Sequence, residues 1–212
     1  MAPPSAGSDP REVLIAASRL LYGRGWMAGT AGNLSVREGE GPFWITASGK
    51  AKGTLGRADF VRVSLDGEVV ERGGPDSRPS AETSIHGAAY RLFPEARACY
   101  HVHTIPTNLV TRFTEGDELP LPPIEMIKGL GVWEQEPRVS VAVLPNHLDV
   151  PRIAAEMEAR FRAAAPRLPG FLIRDHGLTV WAQSPEAALN YLELFDYIFG
   201  CMVAARSSDL RW

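Results

Sequence analysis

The chain is poor in lysine, in cysteine and in long apolar runs, and each shortage narrows what it can be. Of its 22 basic residues only Lys50, Lys52 and Lys128 are lysine. In so arginine-biased a chain, a lysine marks a place that needs a compact, flexible ammonium. Net charge is −3, so nucleic acid and anionic membranes meet no basic field, and an anionic substrate has to be held by a local site. The two cysteines, Cys99 and Cys201, lie in apolar runs. They read as small buried side chains rather than a disulfide framework, which implies a reducing, cytoplasmic compartment. No apolar run reaches the roughly 18 residues of a membrane span. Met1 to Ser8 has neither the basic nor the apolar region of a secretory signal and reads as a short disordered tail. Repeats and linkers are missing too, so residues 9–212 are expected to form a single domain.

What is present concentrates around Cys99-Tyr100-His101-Val102-His103. Residues two apart on a strand leave it on one face, so the two imidazoles would stand together. His176 ends another strand-like run that starts at Phe171. Three neutral imidazoles with an open fourth position are the donor set of a catalytic Zn²⁺. The spacing by itself also fits an ordinary exposed or core histidine pair.

Two loops and one helix start carry oxyanion chemistry. Gly29 to Val36 is a glycine-rich turn feeding a strand; its backbone N–H groups can wrap an anion, or it can be only a turn. Ala47 to Gly53 gathers Ser48, Gly49, Lys50 and Lys52, a better phosphate candidate although not a Walker A pattern. Ser80 opens a helix with Glu82 in its first turn, where it serves either a phosphate or its own helix as a cap. Glu125 stands inside the apolar segment Leu121 to Gly129. Burial there would raise its pKa and suit it to acid/base work, whereas an edge strand would leave it a surface carboxylate. Glu82 and His86 are four apart and can pair on one helix face. His86 and His147 read as packing or surface residues, not as ligands.

Periodicity predicts helices from Pro10 to about Gly23, from Ser80 to about Pro94, over 104–113, over 149–165 and from Pro185 onward. It predicts strands near 33–36, 43–46, 61–65, 68–71, 96–103, 139–144, 171–175 and 178–182, with a polar loop at 114–119. The final helix carries a broad apolar stripe that belongs in a core or a subunit interface. The order of elements gives an α/β fold with one sheet flanked by helices.

Gly32-Asn33-Leu34-Ser35, Thr46-Ala47-Ser48-Gly49, Pro79-Ser80-Ala81-Glu82, His101-x-His103 and Asp175-His176-Gly177 together resemble the class II aldolase/adducin superfamily, in order, from about residue 10 to about 205. The resemblance implies a three-layer α/β/α sandwich around a mostly antiparallel sheet, assembled as a homotetramer with active sites at subunit boundaries. It implies one Zn²⁺ per subunit on His101, His103 and His176. It also implies a phosphate pocket of Asn33, Ser48, Gly49 and Ser80 with Lys50 nearby, and a metal-adjacent acid at Glu82. Glu125-Met126-Ile127-Lys128-Gly129 and Phe195-Asp196-Tyr197-Ile198-Phe199 resemble a dehydratase branch that acts on a phosphorylated keto-sugar, with Glu125 as its catalytic glutamate. Met126, Ile127 and Trp133 are then candidates for an apolar substrate pocket, or ordinary core residues. Aldolases of the superfamily carry two consecutive serines where this chain has Ser80-Ala81, which weakens an aldolase or 4-epimerase reading. Adducin heads lack the histidines, which argues against a structural module. Neither nucleic acid nor membrane is an expected partner.

Overall fold

Asp9 accepts a hydrogen bond from the Arg11 N–H at 3.0 Å and Pro10 occupies the first turn, so helix α1 (Pro10–Gly23) begins where its capping pattern predicts. The structure, a computed structural model, describes residues 9–208 and Leu210; the tail predicted at Met1–Ser8 lies outside the described residues. After α1 come β1 (Asn33–Arg37), β2 (Phe43–Thr46), β3 (Phe60–Val63) and β4 (Val69–Arg72), then α2 (Thr83–Leu92), β5 (Ala98–Val102) and the short α3 (Ile105–Val110). The second half is β6 (Glu118–Pro120), β7 (Ser140–Leu144), α4 (Val150–Ala163), β8 (Gly170–Ile173), β9 (Gly177–Ala182) and α5 (Pro185–Ser207).

The strands form one mixed 9-stranded sheet in the order β4-β3-β2-β1-β5-β9-β8-β7-β6. Among the described residues only β7 and β8 run parallel; the neighbours on either side, such as β1–β5 and β5–β9, are antiparallel. Side chains alternate between two cores, as the pleat requires. On one face Leu34, Tyr100, Val102 and Val180 pack with Leu14 and Leu21 of α1 and Phe195 and Phe199 of α5. On the other face Ile45, Cys99, Phe171 and Trp181 pack with Ile85 of α2 and Ile153 of α4. Each buried aromatic removes a large apolar area from water, worth about 2–3 kcal/mol before the entropy of ordering it.

Helix α5 has 23 residues and meets a length-and-composition test for crossing a membrane, at a window mean hydropathy of 1.2. Its Leu192, Phe195, Ile198 and Phe199 are nevertheless fully buried against the sheet, which is the core role its apolar stripe predicts.

Three boundaries differ from the sequence reading. Helix α2 starts at Thr83, not at Ser80, and Glu82 takes the cap position without capping. The Ala47–Pro79 bridge holds that approach segment against the sheet, so Ser80 makes a turn first, its carbonyl accepting from the Thr83 N–H. The end of the expected 114–119 loop enters edge strand β6. Leu121 to Gly129 is not a strand, because Pro122 and Pro123 offer no ladder donors, and a 3-10 helix spans Glu125–Leu130.

Candidate metal and active site

His101 sits on β5 with Asn33 of β1 as one cross-strand neighbour and Thr179 of β9 as the other. All three face the α2 side of the sheet. His103 follows the end of β5, where its N–H donates to the Trp26 carbonyl at 2.9 Å. His176 lies in the tight turn between β8 and β9. Asp175 there holds φ at 51°, costly for a non-glycine residue. The turn is braced by Arg112, which donates to Asp175 Oδ1 at 2.7 Å, and by Asn108 Nδ2, which donates to the His176 carbonyl at 2.9 Å. Gly177 has to be glycine for a steric reason. A Cβ there would overlap the Val102 carbonyl oxygen and stand 3.0 Å from His101 Cε1 and 3.2 Å from His103 Cδ2.

The three imidazoles and Glu82 therefore converge, one ligand atom from each lying within 4.8 Å of the others. His101 Nε2 is 2.8 Å from His103 Nε2 and 3.3 Å from Glu82 Oε2, and His176 Nε2 is 3.1 Å from Glu82 Oε1. Burial pushes His101 down to about 4 and His103 to about 3, so both rings are neutral at neutral pH. Burial alone would raise the Glu82 carboxyl. The adjacent His101 ring and hydrogen bonds from His176 and Asn33 outweigh it and hold the group well below the carboxylate range. Neutral ring nitrogens plus one ionised carboxylate oxygen suit a tetrahedral divalent ion with nitrogen and oxygen ligands. His101 Nδ1 meets Thr179 Oγ1 at 2.9 Å, an outer contact of the kind that fixes a ligating ring.

The phosphate candidates separate. The segments that carry Ser48 and Ser80 run side by side: Ala47 bridges Pro79, and the Ser48 N–H donates to the Arg78 carbonyl at 2.9 Å. Lys50 is turned to Asp59, 3.0 Å away. Lys52 is buried, and its ammonium donates to the carbonyls of Thr30 at 2.7 Å and Lys50 at 2.8 Å. It thereby joins the glycine-rich turn to the Ser48 loop. Asn33 is tied to the cluster: its Nδ2 donates to Glu82 Oε2 at 2.7 Å and its Oδ1 lies 2.5 Å from His86 Nε2.

Glu125 is not buried as its apolar segment would suggest: its side chain is 81% exposed and paired with Lys128 at 2.9 Å. It lines a cavity of about 350 Å³ with Ile127, Lys128 and Trp133, and no lining residue of that cavity belongs to the histidine cluster. Trp133 is exposed, Met126 half-buried and Ile127 buried in the first core. His147 pairs with Glu156 at 3.0 Å, as a surface role predicts.

The profile of the class II aldolase and adducin N-terminal domain matches residues 12–203. The chain belongs to this family. Among its relatives, a protein of Microcystis aeruginosa named methylthioribulose-1-phosphate dehydratase is 58% identical over 198 residues, 93% of this chain and 97% of the relative. One of Leptospira biflexa with the same name is 43% identical over 192 residues, 87% and 92% of the two chains. YgbL from Klebsiella pneumoniae superposes with a TM-score of 0.77 at 26% identity, covering 92% of this chain and 89% of that one. L-fuculose-1-phosphate aldolase from Thermus thermophilus superposes at 0.72 and 23% identity, covering 94% and 96%, a likeness of fold alone.

In this chain the sequence reading missed Ser35, Tyr90 and Thr179 behind the cluster and left His86 as a packing or surface residue. A signal was present. Asn33 and Ser35 alternate on one strand face, and Glu82, His86 and Tyr90 recur every four residues on one helix face. Two polar stripes on elements otherwise apolar are the mark of a buried network.

Proposed function

We propose that the chain is a hydro-lyase of methionine salvage, converting 5-methylthioribulose 1-phosphate to 5-methylthio-2,3-dioxopentyl phosphate and water, with one Zn²⁺ per subunit of a cytoplasmic homotetramer. The reading is carried by the 58% identity, over nearly the whole of both chains, to a protein named for this reaction. It is supported by a donor set that suits the metal and by the adjacent oxyanion loops. The architecture is read as a three-layer α/β/α sandwich around a mostly antiparallel sheet, from helices packed on both faces and from the confinement of parallel pairing to β7 and β8 among the described residues.

His101, His103 and His176 would hold the Zn²⁺. A bound Zn²⁺ supplies Lewis acidity toward the substrate's carbonyl and neighbouring hydroxyl. The Ser48 and Gly49 loop and the Ser80 hydroxyl orient the phosphate, with Lys50 released from Asp59 as an added cation. A carboxylate removes the C3 proton, a general acid protonates the C4 hydroxyl, water departs, and the enol tautomerises to the 2,3-diketone. Glu82 is the carboxylate within reach in one chain. Glu125, with its cavity of Ile127 and Trp133 for the methylthio group, would complete a site across a subunit boundary.

Purified zinc-loaded protein is to be incubated with methylthioribulose 1-phosphate and, separately, with fuculose and ribulose phosphates. Diketone formation supports the reading; dihydroxyacetone phosphate release or an epimer instead establishes an aldolase or 4-epimerase. Glu125→Gln is expected to keep its zinc and lose on the order of 10²–10⁴-fold in kcat. Unchanged turnover removes Glu125 from the chemistry and leaves Glu82.

A further inference from the structure

Behind the histidine cluster lies a line of polar side chains with no access to solvent. Tyr90 OH is 2.9 Å from Ser35 Oγ, Ser35 Oγ is 2.6 Å from His86 Nδ1, His86 Nε2 is 2.5 Å from Asn33 Oδ1, and Asn33 Nδ2 is 2.7 Å from Glu82 Oε2. Ser35 and His86 are fully buried, Tyr90 is 1% exposed and Asn33 4%. Groups so placed have to satisfy one another, because a buried donor or acceptor left unpaired keeps its full desolvation penalty.

Satisfying them fixes the direction of every bond. An ionised carboxylate only accepts, so Asn33 must turn its NH₂ to Glu82 and its carbonyl oxygen to His86. His86 must then donate from Nε2, which leaves Nδ1 as an acceptor. The Ser35 hydroxyl has one proton and gives it to Nδ1, so Ser35 cannot also donate to the Cys99 carbonyl 3.2 Å away. Tyr90 in turn donates to Ser35. All four bonds point toward Glu82.

We propose that Asn33 and His86 are positioning residues: a one-way hydrogen-bond chain from Tyr90 through Ser35, His86 and Asn33 that holds the Glu82 carboxylate between His101 and His176. The inference rests on the cluster being the metal and acid/base site. It assigns Asn33 to the carboxylate and not to the substrate's phosphate. Outer hydrogen-bond partners of a metal site are typically worth about 10–100-fold in affinity or activity.

The test compares Asn33→Ala, His86→Leu, the double variant and His86→Gln, whose amide can reproduce the Nε2–H donor. Zinc affinity is measured by chelator competition on each full-length protein, so it reads the network even if the substrate is misassigned. Asn33→Ala and His86→Leu should each bind zinc about 10–100-fold more weakly. The double variant should be no worse than Asn33→Ala, since His86 acts through it. His86→Gln should recover most of the loss. In turnover with methylthioribulose 1-phosphate, Asn33→Ala should lower kcat and leave KM near wild type. Wild-type zinc affinity in Asn33→Ala with a raised KM makes Asn33 a substrate ligand and overturns the proposal. So do additive losses in the double variant. If His86→Leu does not fold, His86→Gln and Ser35→Ala complete the comparison, and wild-type zinc binding in Ser35→Ala with failure of His86→Gln to bind overturns it as well.

Discussion

Replacing Gly177 by alanine tests whether the packing of three strands, and not the histidines alone, makes the site. The new Cβ would overlap the Val102 carbonyl oxygen and crowd the His101 and His103 rings at 3.0 and 3.2 Å. A backbone carbonyl inside a paired strand cannot swing aside. The clash resolves only by parting β5 from β9 or rotating both rings, and overpacking of this kind costs about 1–3 kcal/mol. For a chain of this size that is a fall of roughly 2–12 °C in Tm for the metal-free protein. Displaced rings also weaken the metal, so the zinc-dependent gain in Tm, which follows RT ln(1 + [L]/Kd), shrinks further. Gly53→Ala is the control. Its Cβ meets the Tyr22 ring at 2.6 Å, but Tyr22 is a half-exposed side chain that can rotate away. Scanning calorimetry of both variants with and without zinc decides the matter. Equal behaviour of Gly177→Ala and Gly53→Ala, with the full zinc gain in both, refutes the steric argument.

Other perturbations separate stability from chemistry. Burial holds Lys52 down to about 8, partly countered by the charge of Glu82, against 10.5 for an ordinary lysine. Below pH 8 both the folded and unfolded chain bind this proton and the wild type carries the full cost of the buried charge. Between pH 8 and 10.5 the folded chain releases it first, so the wild type should gain on Lys52→Met by on the order of 3 kcal/mol across that window. Denaturant midpoints of the two proteins at pH 7 and pH 10 measure this, and a pH-independent gap contradicts it. His176→Ala should abolish zinc retention on dialysis while leaving the sheet's far-ultraviolet dichroism unchanged; retained stoichiometric zinc would show that Glu82 and the other two histidines suffice. Phe199→Ala empties a fully buried position in the core under α5 and should cost about 3–5 kcal/mol in chemical denaturation, with zinc affinity untouched.

Most of the fold was legible in the sequence because its elements are long and strongly patterned. Helices α1 and α5 begin at side-chain caps followed by proline, and the β8–β9 turn is marked by Asp175-His176-Gly177. The convergence of His101 and His103 was legible for a related reason: residues at i and i+2 at the end of an apolar strand leave it on one face. The exposure of Glu125 was not legible because an apolar neighbourhood in sequence does not state which side chain turns outward. The tie of Asn33 to Glu82 was not legible because the two are 49 residues apart, a distance that no local pattern encodes. The buried network shows only when helix and strand periodicities are laid against each other.

The row Asn33, His101 and Thr179 crosses three adjacent strands, and its last two members are 78 residues apart in the chain. A slip of one residue at either edge of β5 would turn its histidines into the opposite core, against α1 and α5. Closing so wide a loop is slow and entropically costly before any contact repays it. Metal affinity thus exists only for a chain whose central strands have zipped in their native alignment. If the site takes zinc as proposed, zinc added during refolding should draw mispaired chains toward the native sheet by mass action, so the ion would act as a proofreader of folding.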